Sequence, residues 1–321
     1  MTPATTAAAS GGAPAPAFRH ELYPYQGENA FLAGATSFIE DALGADETVL
    51  VAVGPDKQVI LRDALDATRA DGQVRFVDTA ALGRNPGRLI PAWQDWIAKT
   101  VSQGQPVRGI SESPWATATA AERGELRYHE WLLNRTFAES PAWWLLCPYD
   151  TSTVEAAVLD SARRCHPFQL AEGLHGDNPA FADEPFLFDE LTAPCDPQET
   201  LTYGAGALAA VRGKVTACAT VHGLKGARLQ ELLVAVTEVA SNSIRHGGGR
   251  GTLQTWVEGD VLICQFHDAG HIRDPLVGRS RPEPHQSGGR GLWLVHQLCD
   301  LVQIRSTAEH GATVRLSTAL R

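Results

Sequence analysis

Hydrophobic positions change their spacing twice along the chain. In the first half, Thr48–Val53 (TVLVAV) and segments 73–77, 106–111 and 143–147 are short apolar runs bounded by turn residues such as Gly54-Pro55 or Pro148. Runs of that length read as buried strands. Between them, segments 57–68, 88–100 (with Trp93 and Trp96), 121–137 and 154–165 carry helical spacing. Strand–helix alternation predicts an α/β domain over residues 18–170, a doubly wound, mostly parallel sheet covered on both faces. Residues 171–198 break the pattern. Four prolines and seven acidic residues, interrupted by Phe181, Phe186, Leu187 and Phe188, read as a connector with docking aromatics. From 199 to 321 helices come first, over 200–222 and 225–246. Strands at 252–258 and 261–266 then flank a two-residue turn, Gly259-Asp260. A helix over 290–300 and a hairpin of 302–306 with 313–317 complete a two-layer α+β sandwich, with a mixed sheet backing the helices.

Composition narrows the class. The 321 residues carry a net charge of −10, which disfavours a nucleic-acid-binding surface. Apolar runs fall far short of a bilayer span, so no membrane insertion and a cytoplasmic location are expected. Residues 1–17 lack the basic and apolar segments of a secretory leader and read as a disordered tail. The six cysteines form no CxxC pair. Small buried residues in a reducing compartment are the expected reading, ahead of a zinc site or a disulfide framework.

Chemistry concentrates in the second half. Glu238, Asn242 and His246 stand at i, i+4 and i+8, so they stack along one side of a helix, with Leu229, Leu232, Val236 and Val239 on the other. A carboxylate, an amide and an imidazole in a row suit a metal–phosphate group. Asp268-Ala-Gly270 then follows a strand, and Gly288-Gly-Arg-Gly-Leu292 precedes a helix, where unpaired N–H groups favour an anion. In this order the segments resemble the N, G1 and G2 boxes of the GHKL (Bergerat) ATP-binding fold. TEVASNSIRHG followed by GGRGLWLV resembles its anti-sigma-factor serine kinase branch. The resemblance implies ATP and Mg²⁺ as cofactors, Asn242 as the Mg²⁺ ligand and Glu238 as general base. It implies nucleotide contacts from His246, Asp268, Gly270, Gly288, Gly289, Arg290, Gly291 and Leu292, with Thr313 in the closing glycine–threonine element. Residues 273–286 would form a mobile lid over the phosphates. His271 and Ile272 depart from the pattern, since Ile272 stands where a glycine is expected. No phosphoacceptor-histidine segment, P-loop or eukaryotic-type kinase set accompanies the boxes.

The first half resembles the MEDS sensory domain through His20–Tyr25, Gly109–Trp115, His129-Glu130 with Asn134, and 145–150. That implies a sensing role and a degenerate RecA-like fold. The segment Gly54-Pro-Asp-Lys57 is no P-loop, so no hydrolysis is expected there. Trp115, Glu112, His129 and Cys147 are expected near strand ends, where a small-molecule pocket is one reading. A core role for Trp115 and a mutual pairing of Glu112 with His129 is the other, favoured one, ahead of a haem or metal role for His20 or His129. Together the halves suggest a regulator acting on a STAS anti-anti-sigma protein or a sigma factor, with a homodimer open. A catalytically silent, partner-sequestering protein and an atypical sensor histidine kinase are the alternatives.

Overall fold

The computed structural model describes residues 18–65, 72–79, 85–102, 104–194, 200–282 and 289–320; the tail expected at 1–17 lies outside them. The first domain runs β1 (Phe18–Tyr25), α1 (Gly27–Gly44), β2 (Thr48–Val53), α2 (Pro55–Ala64), β3 (Val74–Asp78), a 3-10 turn (Pro86–Arg88), α3 (Leu89–Val101), β4 (Val107–Ser111), α4 (Ala120–Thr136), β5 (Trp143–Asp150), α5 (Ala156–Cys165), β6 (Phe168–Ala171) and β7 (Leu174–Asp177). The strands order as β3-β2-β4-β5-β1-β6-β7. All pairs are parallel except β6 with β7. Every position of β2 is buried, as an inner strand covered on both faces requires. Phe31, Phe38 and Ile39 of α1 and Leu61 of α2 fill one face. Trp93 of α3, Leu132 and Leu133 of α4 and Val158 of α5 fill the other. Each such side chain contributes about 1.5–3 kcal/mol by burial. Helix α4 opens with a capping box in which Thr119 and Glu122 satisfy each other's amide groups.

Three expectations change here. β1 and α1 are elements that the apolar pattern did not reveal, because buried His20 and Glu21 interrupt the strand's alternation. Residues 171–177 belong to the β6–β7 hairpin, so the connector begins at Asn178. Strand β5 runs through Pro148 to Asp150. Its ladder to β4 ends at Leu146, which leaves a side on which the missing amide hydrogen costs no bond.

The second domain runs β8 (Thr200–Gly204), α6 (Leu208–Val221), α7 (Gly226–His246), β9 (Arg250–Glu258), β10 (Val261–Asp268), α8 (Arg290–Leu298), β11 (Leu301–Thr307) and β12 (Gly311–Ala319). Its sheet, β11-β12-β10-β9-β8, pairs antiparallel throughout rather than mixed. Residues 200–204 form the edge strand beside β9, so the helix expected from 200 starts at Leu208. The three helices pack on one face through Val215, Leu232, Val236, Val239, Val295, Phe266 and Leu316. In the connector, Phe186 and Phe188 pack on Tyr128 of α4, tilted and edge-on, with ring centroids 5.0 and 4.5 Å away, while Leu187 stays exposed.

Candidate functional site

Helix α7 supplies the front of the site. Its apolar back is buried, while Glu238 and Asn242 are half-buried and His246 is exposed. The first turn of α8 lies directly on this front. A Cβ at Gly291 would come 2.7 Å from Glu238 Oε2 and 3.6 Å from Asn242 Nδ2, so the backbone of this turn lies close against both side chains, and a larger residue would push the Glu238 carboxylate aside. Gly289 caps α8 with φ of +79°, a left-handed conformation that glycine adopts without strain. The opening N–H groups of α8 therefore point out beside Glu238 and Asn242. Arg290 is exposed at this end. Leu292 is 8% exposed and packs in the core, so it anchors α8 rather than presenting a side chain to a ligand. Gly288 lies outside the described residues.

Asp268 ends β10 behind α7. Its Oδ1 accepts a hydrogen bond from the Gly270 N–H at 2.8 Å, which orients the carboxylate. A Cβ on Gly247 would come within 2.3 Å of Asp268 Cγ, so the end of α7 and the carboxylate touch through a residue the sequence reading passed over. Ile272 packs against the core and donates its N–H to Ser306 Oγ at 2.9 Å, whereas His271 is exposed. Thr313 is not brought to the site. It pairs with His267, whose Nδ1 lies 3.1 Å from its Oγ1, on the sheet face opposite core-packed Val314 and Leu316. Strand alternation puts Ala312, its neighbour, on the helix-covered side. The remaining groups fit a Mg²⁺-nucleotide: an amide oxygen, a carboxylate, the first turn of a helix and close-lying glycine backbone.

The lid segment is held down. Over its described part, 273–282, the first domain grips it. Tyr128 OH donates to Pro275 O at 3.0 Å, and Leu276 packs against the first domain's core. Arg279, 2% exposed, donates to Glu125 of α4, 0% exposed, whose other oxygen accepts from Arg305 at 2.8 Å. The far end of α8 is gripped too. Arg88 Nε donates to His296 O at 2.9 Å and Nη2 to the Gln297 and Cys299 carbonyls at 2.9 Å, while fully buried Asn85 donates to His296 O at 2.9 Å. These bonds cap the carbonyls that a helix C-terminus leaves unpaired. The mobile lid expected from its Pro and Gly content is thus docked over these residues. What looked like a solvated loop is part of an interface.

In the first domain, a cavity of about 650 Å³ opens at the carboxyl ends of β2, β3, β4 and β5, lined by Lys57, Asp78, Glu112, Trp115, Leu126 and Asp150. Lys57 binds both Glu112 oxygens, and Tyr25 OH donates to Glu112 Oε1 at 2.7 Å. Burial, then the Glu112 charge, pushes the Tyr25 phenol pKa far up. Glu112 therefore pairs with Lys57, not with His129, which corrects one expectation. Trp115 is 5% exposed and stacks on Tyr149 at 5.5 Å. His129 and Cys147 face the interior away from this cavity.

Among the described residues, no helix is long and apolar enough to cross a membrane. The family model of the MEDS domain (methanogen/methylotroph, DcmR sensory domain) matches residues 19–167. The model of the histidine kinase-like ATPase domain matches residues 203–318. No curated protein matches the chain. One similar solved structure is the crystal structure of the RsbU and RsbW domains of Rv1364c from Mycobacterium tuberculosis, at 17% identity over 38% of this chain, with a TM-score of 0.28. The match covers 32% of that chain, about a third of its length. The protein therefore joins an N-terminal MEDS domain to a C-terminal histidine kinase-like ATPase domain of the GHKL fold.

Proposed function

We propose that the chain is a signalling regulator whose ATPase-like domain binds Mg-ATP and phosphorylates a serine of a STAS-type partner, under control of the sensory half. The observation that carries this reading is the seating of the α8 first turn on Glu238 and Asn242. Asn242 would hold Mg²⁺ through its amide oxygen, Asp268 the adenine amino group, and the α8 amides with Arg290 the phosphates. ATP supplies the transferable phosphoryl group. Glu238, half-buried one helical turn from Asn242, would accept the proton of the attacking hydroxyl. A small molecule in the 650 Å³ cavity is the proposed input. The docked lid supports control by the first domain, because a signal needs two states with different affinities.

The test is incubation of the full chain with radiolabelled ATP and a candidate STAS protein, beside calorimetry of Mg-ATP. Serine label on the partner, lost together with Mg-ATP affinity in Asn242→Ala, is the expected result. Nucleotide binding without label would leave a partner-sequestering protein, the reading that a permanently latched lid favours. Unchanged binding and labelling in Asn242→Ala would remove that residue from the site.

A further inference from the structure

Four side chains of metal-ligating type converge inside the first domain, away from both the cavity and the nucleotide site. His20 comes from β1, Cys147 from the adjacent β5, Glu130 from α4 and His166 from the end of α5. All are buried, between 0% and 4% exposed. Their ligand atoms lie within 4.8 Å of one another. His20 Nε2 is 3.2 Å from Glu130 Oε2 and 3.4 Å from Cys147 Sγ, and His166 Nε2 is 3.5 Å from the same Glu130 oxygen. A tetrahedral zinc ion, with bonds of about 2.0–2.3 Å, spaces its ligands roughly 3.3–3.6 Å apart.

The hydrogen bonds around the cluster fix the tautomers. His166 Nδ1 lies 2.8 Å from the Ala162 carbonyl, which can only accept, so Nδ1 carries the proton and Nε2 presents a lone pair inward. Asn134 donates its Nδ2 to the Cys165 carbonyl, which leaves Oδ1 to accept from His20 Nδ1 at 3.0 Å. His20 Nε2 therefore also presents a lone pair. Glu130 Oε2 and His166 Nε2 have no hydrogen-bond partner. Two imidazole lone pairs and a carboxylate oxygen face one thiol, and a single thiol proton can bridge only one of these contacts. Buried acceptors left this way are costly.

We propose that His20, Glu130, Cys147 and His166 form a closed site for one divalent transition-metal ion of the zinc class. The donor set is two imidazoles, a thiolate and a carboxylate, which suits zinc in softness and number. Charge balances as well. Thiolate and carboxylate neutralise the dication, so no net charge is buried. On binding, the Cys147 S–H bond breaks, its proton leaves to solvent, and the sulfur pair goes to the metal. Convergence on one point, with no room for a ring between the ligands, favours a bare ion over haem. With four protein ligands the ion has no open position, so the site is structural or sensory rather than catalytic. Asn134 and the Ala162 carbonyl are its positioning groups.

The test uses the full-length protein, stripped with a chelator and reloaded with Zn²⁺ or Co²⁺. Elemental analysis is expected to give about one ion per chain. The cobalt form should show tetrahedral d–d bands and a thiolate-to-cobalt charge-transfer band. Cys147→Ser should lose that charge-transfer band, and Cys165→Ser, which alters the neighbouring thiol outside the cluster, should keep it. Asn134→Ala keeps all four ligands and should weaken Zn²⁺, measured against a chromophoric chelator, by about 10–100-fold. Circular dichroism identifies variants that fail to fold, and the wild-type stoichiometry and spectrum stand without them. Wild-type protein that takes up no ion, or a cobalt spectrum lacking the thiolate band, overturns the proposal. So does a band that survives Cys147→Ser or vanishes in Cys165→Ser.

Discussion

Glu125→Ala should release the lid. Glu125 is the shared acceptor of Arg279 and Arg305, and it and Arg279 are almost wholly out of water. Removing one partner of a buried ion pair costs about 3–5 kcal/mol, because the other charge stays desolvated. Arg279 has little to fall back on, since its Nη1 already lacks a hydrogen-bond partner. The protein escapes the penalty only by lifting 273–282 so that Arg279 reaches solvent. At about 3 kcal/mol, the undocked fraction rises on the order of 10²-fold. Arg279→Met should do clearly less. It removes the buried cation, and Glu125 keeps Arg305 at 2.8 Å. The assay is amide hydrogen exchange on the full chain. The Val277 and Arg279 amides, bonded to Asp274 O and Leu276 O in the docked lid, should exchange about 10²-fold faster in Glu125→Ala. Mg-ATP affinity, measured by calorimetry, should shift with them. A folded Glu125→Ala protein with wild-type exchange at both amides and wild-type affinity would refute the latch.

Glu238→Gln should leave Mg-ATP affinity near wild type and lower phosphoryl transfer by about 10²–10⁴-fold; a near wild-type rate in the label assay places the base elsewhere. A fragment of residues 196–321 should fold and bind nucleotide, yet lose the Arg88 and Asn85 caps on α8. Hydrogen exchange should then rise over 290–298 and affinity should differ from the full chain, whereas identical behaviour would mean the first domain does not act on the second. His296 is fully buried, and burial, then the Arg279 and Arg88 guanidiniums, holds its pKa well below the usual 6.5. The unfolded chain therefore binds the extra proton, and stability is full above pH 6.5 and falls as pH drops below it, by up to about 1.4 kcal/mol per unit. Thermal midpoints of His296→Gln should fall less steeply between about pH 6.5 and 5 than those of wild type, and equal slopes would count against the assignment.

The sequence told most where a local pattern carried the information. Helix α7, the Gly259-Asp260 hairpin and the strand–helix alternation of the first domain are set by spacing alone. β8 escaped because five residues of edge strand run into an Ala- and Val-rich helix with no proline between them. Thr313 lies on the face away from the helices and its neighbour Ala312 on the covered one, because in a strand one position is the other face. That Glu238 and Asn242 share one face of α7 was legible because i, i+4 spacing fixes a helix face. The latch was not, since Arg279 finds Glu125 154 residues away, and one of three arginines in a proline-rich segment carries the signature of solvent. The same holds for Arg88 and Asn85, which reach α8 across more than 200 residues.

Helix α4 is buried along its middle on nearly every side, with Glu125 turned to the second domain and Glu130 to the interior of the first. Five residues apart, the two carboxylates point roughly 140° from one another around the axis. Such a helix acts as an axle. A carboxylate about 5–6 Å from the axis swings about 1 Å when the helix turns by about 10°. A swing of that size takes the 2.8 Å bond between Glu125 and Arg305 out of hydrogen-bonding range. Close packing around the helix leaves discrete seats rather than a continuum. A small turn imposed on the Glu130 side would thus reach the lid as a click, bond made or bond broken, and not as a graded pull.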